Sequence, residues 1–259
     1  MNRVTADYHM HSISPDARVP MEEMCRAAVE RGMCEVAVTD HLELFPPDYS
    51  GKEPAMFDDR YIERYFAEWR RCSELFDGRV RRAVELGQPG CNPARAAEIL
   101  SRWHYDYVLG SVHKVYGVDL AFKHYSEESN DALTRQNLAL LYELADRGDF
   151  DCMGHIDLIK RYAGRQGFRI RLIDYFEEVE AILKRLVWRD KGLEINTSGL
   201  RQGLGETLPG LDILKLYRSL GGKILVIGSD AHRACDVAAD FDAARELALA
   251  AGFTELALY

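Results

Sequence analysis

Seven short apolar runs, each followed by a stretch of helical period, divide this chain of 259 residues. The runs lie at 4–8, 35–39, 80–86, 105–112, 150–154, 193–197 and 223–228. The helical stretches lie at 20–32, 58–76, 94–103, 126–147, 172–189, 211–220 and 237–251, and a last short strand is expected at 255–258. Strand and helix alternating at this length make right-handed βαβ units around a parallel sheet. Seven or eight such units match a closed β/α barrel, typically about 250 residues long. An open doubly wound sheet is the rival, but it gathers its ligands at one crevice. Here ionisable residues follow at least six of the runs. The expectation is an α/β barrel forming one domain over residues 1–259, with its site at the C-terminal strand ends.

No Pro/Gly/Ser-rich linker, repeat or composition step divides the chain, and the three-proline stretch at 45–56 reads as a surface loop. The formal net charge of -9 argues against a nucleic-acid surface, which needs a basic stripe to neutralise phosphates. It leaves a small anionic substrate open, because bound cations reverse the local potential. Residues 1–12 lack an apolar signal core and no run approaches membrane-spanning length, so a cytoplasmic protein is expected. The six scattered cysteines contain no Cys-x-x-Cys and read as reduced packing residues. Nothing in the sequence sets an oligomeric state.

The histidines carry the chemistry. Of eight, His9, His11, His41, His113, His155 and His232 stand at ends of predicted strands, and only His104 and His124 fall elsewhere. Residues two apart on a strand share a face, so His9 and His11 project together. Packing alone gives histidines no reason to choose one edge of a sheet. Asp7, Asp16, Asp40, Glu85, Asp157 and Asp230 accompany them. An imidazole–carboxylate set without thiolates suits Zn, Mn or Fe. It offers more donors than one ion can use, which implies two or three divalent metals sharing a bridging carboxylate. Some members, Asp157 among them, fit a role orienting a ligand as well as direct ligation, and Asp7 reads as a support for the histidine pair.

In order, Asp7-Tyr8-His9-Met10-His11, Thr39-Asp40-His41, Glu85-Leu86-Gly87, Gly110-Ser111-Val112-His113, Gly154-His155-Ile156-Asp157 and Ser229-Asp230-Ala231-His232 resemble the motifs of the polymerase-and-histidinol-phosphatase (PHP) family. Together with Glu194-Ile195-Asn196-Thr197-Ser198-Gly199-Leu200-Arg201, they look most like its histidinol-phosphatase branch. The resemblance implies a distorted seven-stranded β/α barrel with a trinuclear metal site. By motif, His9, His11, Glu85 and Asp230 would hold the first metal. Glu85 would bridge to a second bound by His113 and His155, and Asp16, His41 and His232 would take a third. Two departures stand out: Asp16 replaces a histidine of some relatives, and Lys114 occupies a position that is apolar in many.

A cation cluster activates a bridging water at neutral pH and clamps phosphoryl oxygens, so phosphoester hydrolysis is the matching reaction. The expectation is a phosphomonoesterase using a metal-bridging hydroxide. L-histidinol phosphate, cleaved to L-histidinol and phosphate, follows from the branch resemblance. Arg161, in a predicted loop, is the candidate phosphate clamp, against the plainer reading of a solvated arginine beside Lys160. Arg201 is a weaker case of the same kind. Glu194, Asn196 and Ser198 share a strand face and either meet a cationic substrate or satisfy one another, while Lys114 either shapes the pocket or faces solvent. Asp40 or Asp157 would protonate the leaving alkoxide. The rivals are a phosphodiesterase or nucleotide phosphatase of the same family, an amidohydrolase barrel, and a metal-binding regulatory module without activity.

Overall fold

Strands apolar on both faces need cover on both, which a ring of parallel strands inside a ring of helices provides. The computed structural model describes residues 4–13, 17–47 and 58–259. The chain runs through β1 (Ala6–Met10), α1 (Met21–Glu30), β2 (Glu35–Val38), β3 (His41–Glu43), α2 (Asp59–Leu75), β4 (Val80–Gly87), α3 (Pro93–Trp103) and β5 (Tyr107–Ser111). A hairpin of β6 (Lys114–Val115) and β7 (Val118–Asp119) follows, then α4 (Asn130–Arg147), β8 (Cys152–Met153) and α5 (Ile159–Arg165). The remainder is α6 (Phe176–Trp188), β9 (Gly192–Asn196), α7 (Ser198–Arg201), α8 (Leu211–Ser219), β10 (Leu225–Gly228) and α9 (Phe241–Ala250). Local chemistry sets several boundaries. Asp58 caps α2 by accepting the Tyr61 N–H, and Asn92 caps α3 ahead of Pro93.

Seven strands pair in parallel in the order β1-β2-β4-β5-β8-β9-β10, with β3 running on beyond β2 along β4. Among the described residues the ring closes only at its C-terminal rim. There the His11 N–H donates to the Ala231 carbonyl at 2.9 Å and the Asp230 N–H to the His9 carbonyl at 2.7 Å. Lower down, the chain end lies beside β1 and β10: the Ala257 N–H donates to the Leu225 carbonyl and the Tyr259 N–H to the Tyr8 hydroxyl. Residues 255–258 therefore extend along the barrel without becoming the expected strand. The result is the predicted (β/α)7 barrel, nearly closed.

Strand alternation separates two cores. Ala6, Tyr8, Ala37, Ala83, Tyr107, Leu109, Cys152 and Val226 form the inner floor, with Tyr259 against them. Val36, Val84, Val108, Leu193 and Leu225 belong instead to the larger core shared with the helices. Continuing the inner face by two residues carries Ala83 to Glu85 and Leu109 to Ser111, so polar side chains sit directly above an apolar floor. The helices begin about four residues later than hydrophobic period suggests at 126 and 172. Ser126 and Ser129 hydrogen-bond each other ahead of α4, and a short 3₁₀ turn at Leu172–Asp174 precedes α6. Among the described residues no helix is long and apolar enough to cross a membrane.

Candidate metal centre

The site begins at an irregularity in β1. Asp7 pairs with Val36 but Met10 with Val38, so β1 takes three steps where β2 takes two. An extra residue of this kind turns side chains from their regular alternation. Tyr8 consequently packs in the inner floor and Met10 in the outer core, while His9 and His11 both reach the barrel mouth. Other strand ends add to them. His41 opens β3 beside Glu85 on β4, His113 follows β5, His155 follows β8, and Asp230 and His232 follow β10.

Two donor clusters meet at Glu85, which is fully buried. His9 Nε2 and His11 Nε2 lie 3.0 Å apart, each within 3.8 Å of Asp230 Oδ1 and 3.7 Å of Glu85 Oε2. On the other side His113 Nε2 and His155 Nε2 lie 3.0 and 2.9 Å from Glu85 Oε1, and 3.5 Å from each other. Ser111 donates to the same Oε1 at 2.7 Å. His41 and His232 form a further donor set with His11. Asp16, assigned with them by the family resemblance, lies outside the described residues.

The donor set fits divalent transition metals. Glu85 Oε2 is buried and takes no hydrogen bond, although imidazole nitrogens of His41, His9 and His11 surround it at 2.8, 3.5 and 3.7 Å. Buried carboxylate oxygens normally have a hydrogen-bond partner; three imidazole nitrogens gathered around a single one are the arrangement that suits ligands of a shared cation. Burial alone would push the Glu85 carboxyl up, but His113, His41 and His9 outweigh it and hold it well below its usual range. Burial, with His232 and His41 nearby, pushes the His11 imidazole down to about 3, so it stays a neutral donor. Burial likewise opposes charge on His9, yet Glu194, Glu85 and Asp230 outweigh it and raise that imidazole.

The candidate ligand rings are fixed from behind. His9 Nδ1 lies 2.6 Å from Glu194 Oε1, and Glu194 Oε2 accepts the His155 backbone N–H at 2.8 Å. A Cβ on Gly228 would fall 2.3 Å from Glu194 Oε1 and 2.4 Å from His9 Cβ, so only glycine allows this approach.

The PHP domain family description matches residues 7–198, well over half of the chain. This chain belongs to the PHP domain family. A probable histidinol-phosphatase of Clostridium acetobutylicum is 30% identical over 246 residues, covering 93% of this chain and 92% of that protein. The histidinol-phosphatase of Lactococcus lactis subsp. lactis is 27% identical over 259 residues, covering 98% and 93% respectively. The fold matches a crystal structure described as histidinol phosphate phosphatase from Lactococcus lactis complexed with Zn, L-histidinol and phosphate. That match has a TM-score of 0.80 at 23% identity and covers 100% of this chain and 97% of that one.

Within this PHP barrel the remaining candidate residues divide. Arg161 is in helix α5 rather than a loop, and both it and Lys160 are buried, which overturns the reading of a solvated arginine. Its Nη2 bonds Ser198 Oγ and lies 3.1 Å from Asp230 Oδ2. Lys160 binds Asp157 Oδ2 at 2.6 Å and the Thr207 carbonyl at 2.9 Å. Arg201 grips the Ser229 backbone carbonyl and lies 3.3 Å from Thr197 Oγ1, bracing the loop that carries Asp230. Glu194, Asn196 and Ser198 are fully buried and bond His9, Asp230 or one another. Asp40 accepts the Ser12 N–H and hydroxyl and the Ile13 N–H, pinning the segment after His11. Asp7 accepts the N–H groups of His9, Ser229 and Ala238, tying β1 to the far end of the ring. Glu43, Gln88 and Ser111 are site residues that the sequence reading missed. For Glu43 a signal existed, two residues beyond His41, but β3 is only three residues long and was not anticipated.

Proposed function

We propose that this chain is a metal-dependent phosphomonoesterase that hydrolyses L-histidinol phosphate to L-histidinol and phosphate. The observation that carries the reading is Glu85, whose Oε1 faces His113 and His155 while its Oε2 faces His41, His9 and His11. Near-full-length similarity to histidinol-phosphatases supports the substrate, and the acidic balance of the chain speaks against a nucleic-acid partner. Two or three divalent ions, Zn, Mn or Fe, would supply activated water and charge stabilisation for the phosphoryl group. His9, His11 and Asp230 would hold one, and His113 and His155 a second, with Glu85 between them. His41 and His232 would hold a third, with Asp16 as the family resemblance implies.

The protein's own side chains do the rest. Asp230 is gripped on Oδ2 by Arg161, Ser198 at 3.0 Å and Asn196 at 3.3 Å, which leaves Oδ1 toward His9 and His11. Arg161 keeps its buried Nε without a hydrogen-bond partner, and we assign that edge of the guanidinium to the substrate phosphate. Asp157 is the better of the two carboxyls to protonate the leaving alkoxide. Burial raises both carboxyls, but Asp157 Oδ1 takes no hydrogen bond, whereas both Asp40 oxygens serve Ser12.

Phosphate release from a panel of phosphate monoesters and one diester, with Mn or Zn supplied, tests the proposal. Histidinol phosphate should give the highest kcat/KM. Preference for another monoester would overturn the substrate, and preference for the diester the reaction class. Fewer than two transition-metal equivalents in protein purified without chelator would overturn the metal reading itself.

A further inference from the structure

Glu43 stands two residues beyond His41 on β3, in register with Gly87 on β4. Its carboxylate is buried and both oxygens are engaged. Oε1 lies 2.5 Å from His113 Nδ1, while Oε2 lies 2.5 Å from Lys114 Nζ and accepts from Gln88 Nε2 at 2.8 Å. Gln88 Oε1 in turn accepts the His113 backbone N–H at 2.6 Å. Ring and backbone of His113 are thus held by one connected network. A Cβ at Gly87 would fall 2.1 Å from Glu43 Oε1, so the path of the Glu43 carboxylate over β4 depends on that glycine. Lys114 is largely buried with its ammonium 5.0 Å from the Phe45 ring centroid, so its charge is directed inward.

We infer that Glu43 is the positioning residue for His113 and that Lys114 serves by fixing the second oxygen of Glu43. A neutral imidazole offers one lone pair, on whichever nitrogen lacks the proton. A carboxylate at Nδ1 selects the Nδ1–H tautomer, so the lone pair of Nε2 faces Glu85 Oε1 and His155 Nε2. The same device recurs across the site, where Glu194 stands 2.6 Å from His9 Nδ1. Each of the two donor clusters at Glu85 therefore has one histidine oriented by a glutamate, one from β3 and one from β9. Lys114 thereby works behind the metal centre instead of on the substrate. This role rests on the metal-binding reading of the site.

Cobalt(II) is the probe. The whole protein, stripped of metal and titrated with cobalt(II) against a chromophoric chelator, reports affinity and ligand-field absorption for each equivalent. In Glu43→Gln one equivalent should bind about 10–100-fold more weakly while the others keep their affinity, because removing the partner of a ligating histidine acts on that site. Glu43→Asp should recover part of the loss, and Lys114→Met should weaken the same equivalent by less. A folded Glu43→Gln protein with wild-type cobalt affinities and spectrum overturns the inference. If Glu43→Gln does not fold, Lys114→Met decides: a weakened equivalent supports the network, and an unchanged one overturns it. A Lys114→Met protein with raised KM and intact cobalt binding would assign Lys114 to the substrate and overturn its part here. Wild-type protein binding fewer than two cobalt equivalents would instead remove the metal reading on which this role stands.

Discussion

Arg161 Nη2 lies 3.1 Å from Asp230 Oδ2, the oxygen of that carboxylate turned away from His9 and His11. A buried guanidinium thus sits directly behind a candidate metal ligand. Replacing Arg161 by Ala removes both the brace and the cation assigned to phosphate. We expect kcat/KM to fall about 10²–10³-fold, the scale of losing one preorganised charge contact. Arg161→Lys should restore charge but not planar geometry, and recover only part. Steady-state kinetics of both variants, with metal content measured alongside, check this; an unaffected Arg161→Ala enzyme would remove the residue from the site.

Glu85→Gln keeps the shape of the side chain that both donor clusters share and removes its charge. Since both donor clusters converge on it, the variant should retain at least one metal equivalent fewer than wild type. Its phosphatase activity should drop below about 1%, consistent with losing several kcal/mol of charge stabilisation. Elemental analysis and phosphate release read the two effects separately. Full metal content with near-normal activity would contradict the bridging role.

Gly228→Ala would place a methyl group on His9 and Glu194 at the close distances given above. Overpacking of this kind costs about 1–3 kcal/mol. We expect a lower denaturation midpoint together with weakened metal binding, because the displaced groups are a proposed ligand and the carboxylate behind it. Loss of stability with metal affinity intact would show that the strain relaxes away from the site.

Asp106 supplies the pH test. Its carboxylate accepts from the Arg82 backbone N–H at 2.9 Å and Nε at 3.0 Å, joining the start of β4 to the segment before β5. Partial burial would raise its carboxyl, but these Arg82 hydrogen bonds outweigh burial and lower it below 3.8. A depressed folded-state carboxyl stabilises above its unfolded value and loses that contribution as pH falls through the folded one. Asp106→Asn should therefore be less stable than wild type by about 1 kcal/mol at pH 5–7, a figure kept small because both groups are partly exposed. The gap should narrow once pH drops below about 3.8. Urea unfolding of the metal-free proteins across this range checks it, and a gap independent of pH would mean the ion pair contributes nothing.

Much of the fold was legible because its periodicities are local. The apolar run Leu225–Gly228 and the helical spacing of Leu211–Ser219 follow from neighbours in sequence, and repetition of that pair implies a parallel barrel. Strand β3 and helices α5 and α7 were not legible. They span three, seven and four residues, too few for a period to show, and tertiary contacts hold them in place. Arg161 illustrates the consequence. Its sequence surroundings are basic and look solvated, yet α5 turns it inward onto Ser198 and Asp230, residues far away in the chain.

The sequence by itself determined which donors exist and that they follow the strands, since strand ends and residue chemistry are both local properties. Only the tertiary structure decided how the donors are shared. The register shift between Asp7 and Met10 brings His9 and His11 to the mouth, and ring closure through Asp230 and His9 sets Asp230 against both. Glu85 faces one cluster with each oxygen, and Glu43 comes to rest behind His113, because β3 and β4 lie in register. Those relations join residues as many as 221 positions apart (230 less 9). Strand spacing and register fix them, and no local pattern in the chain encodes either.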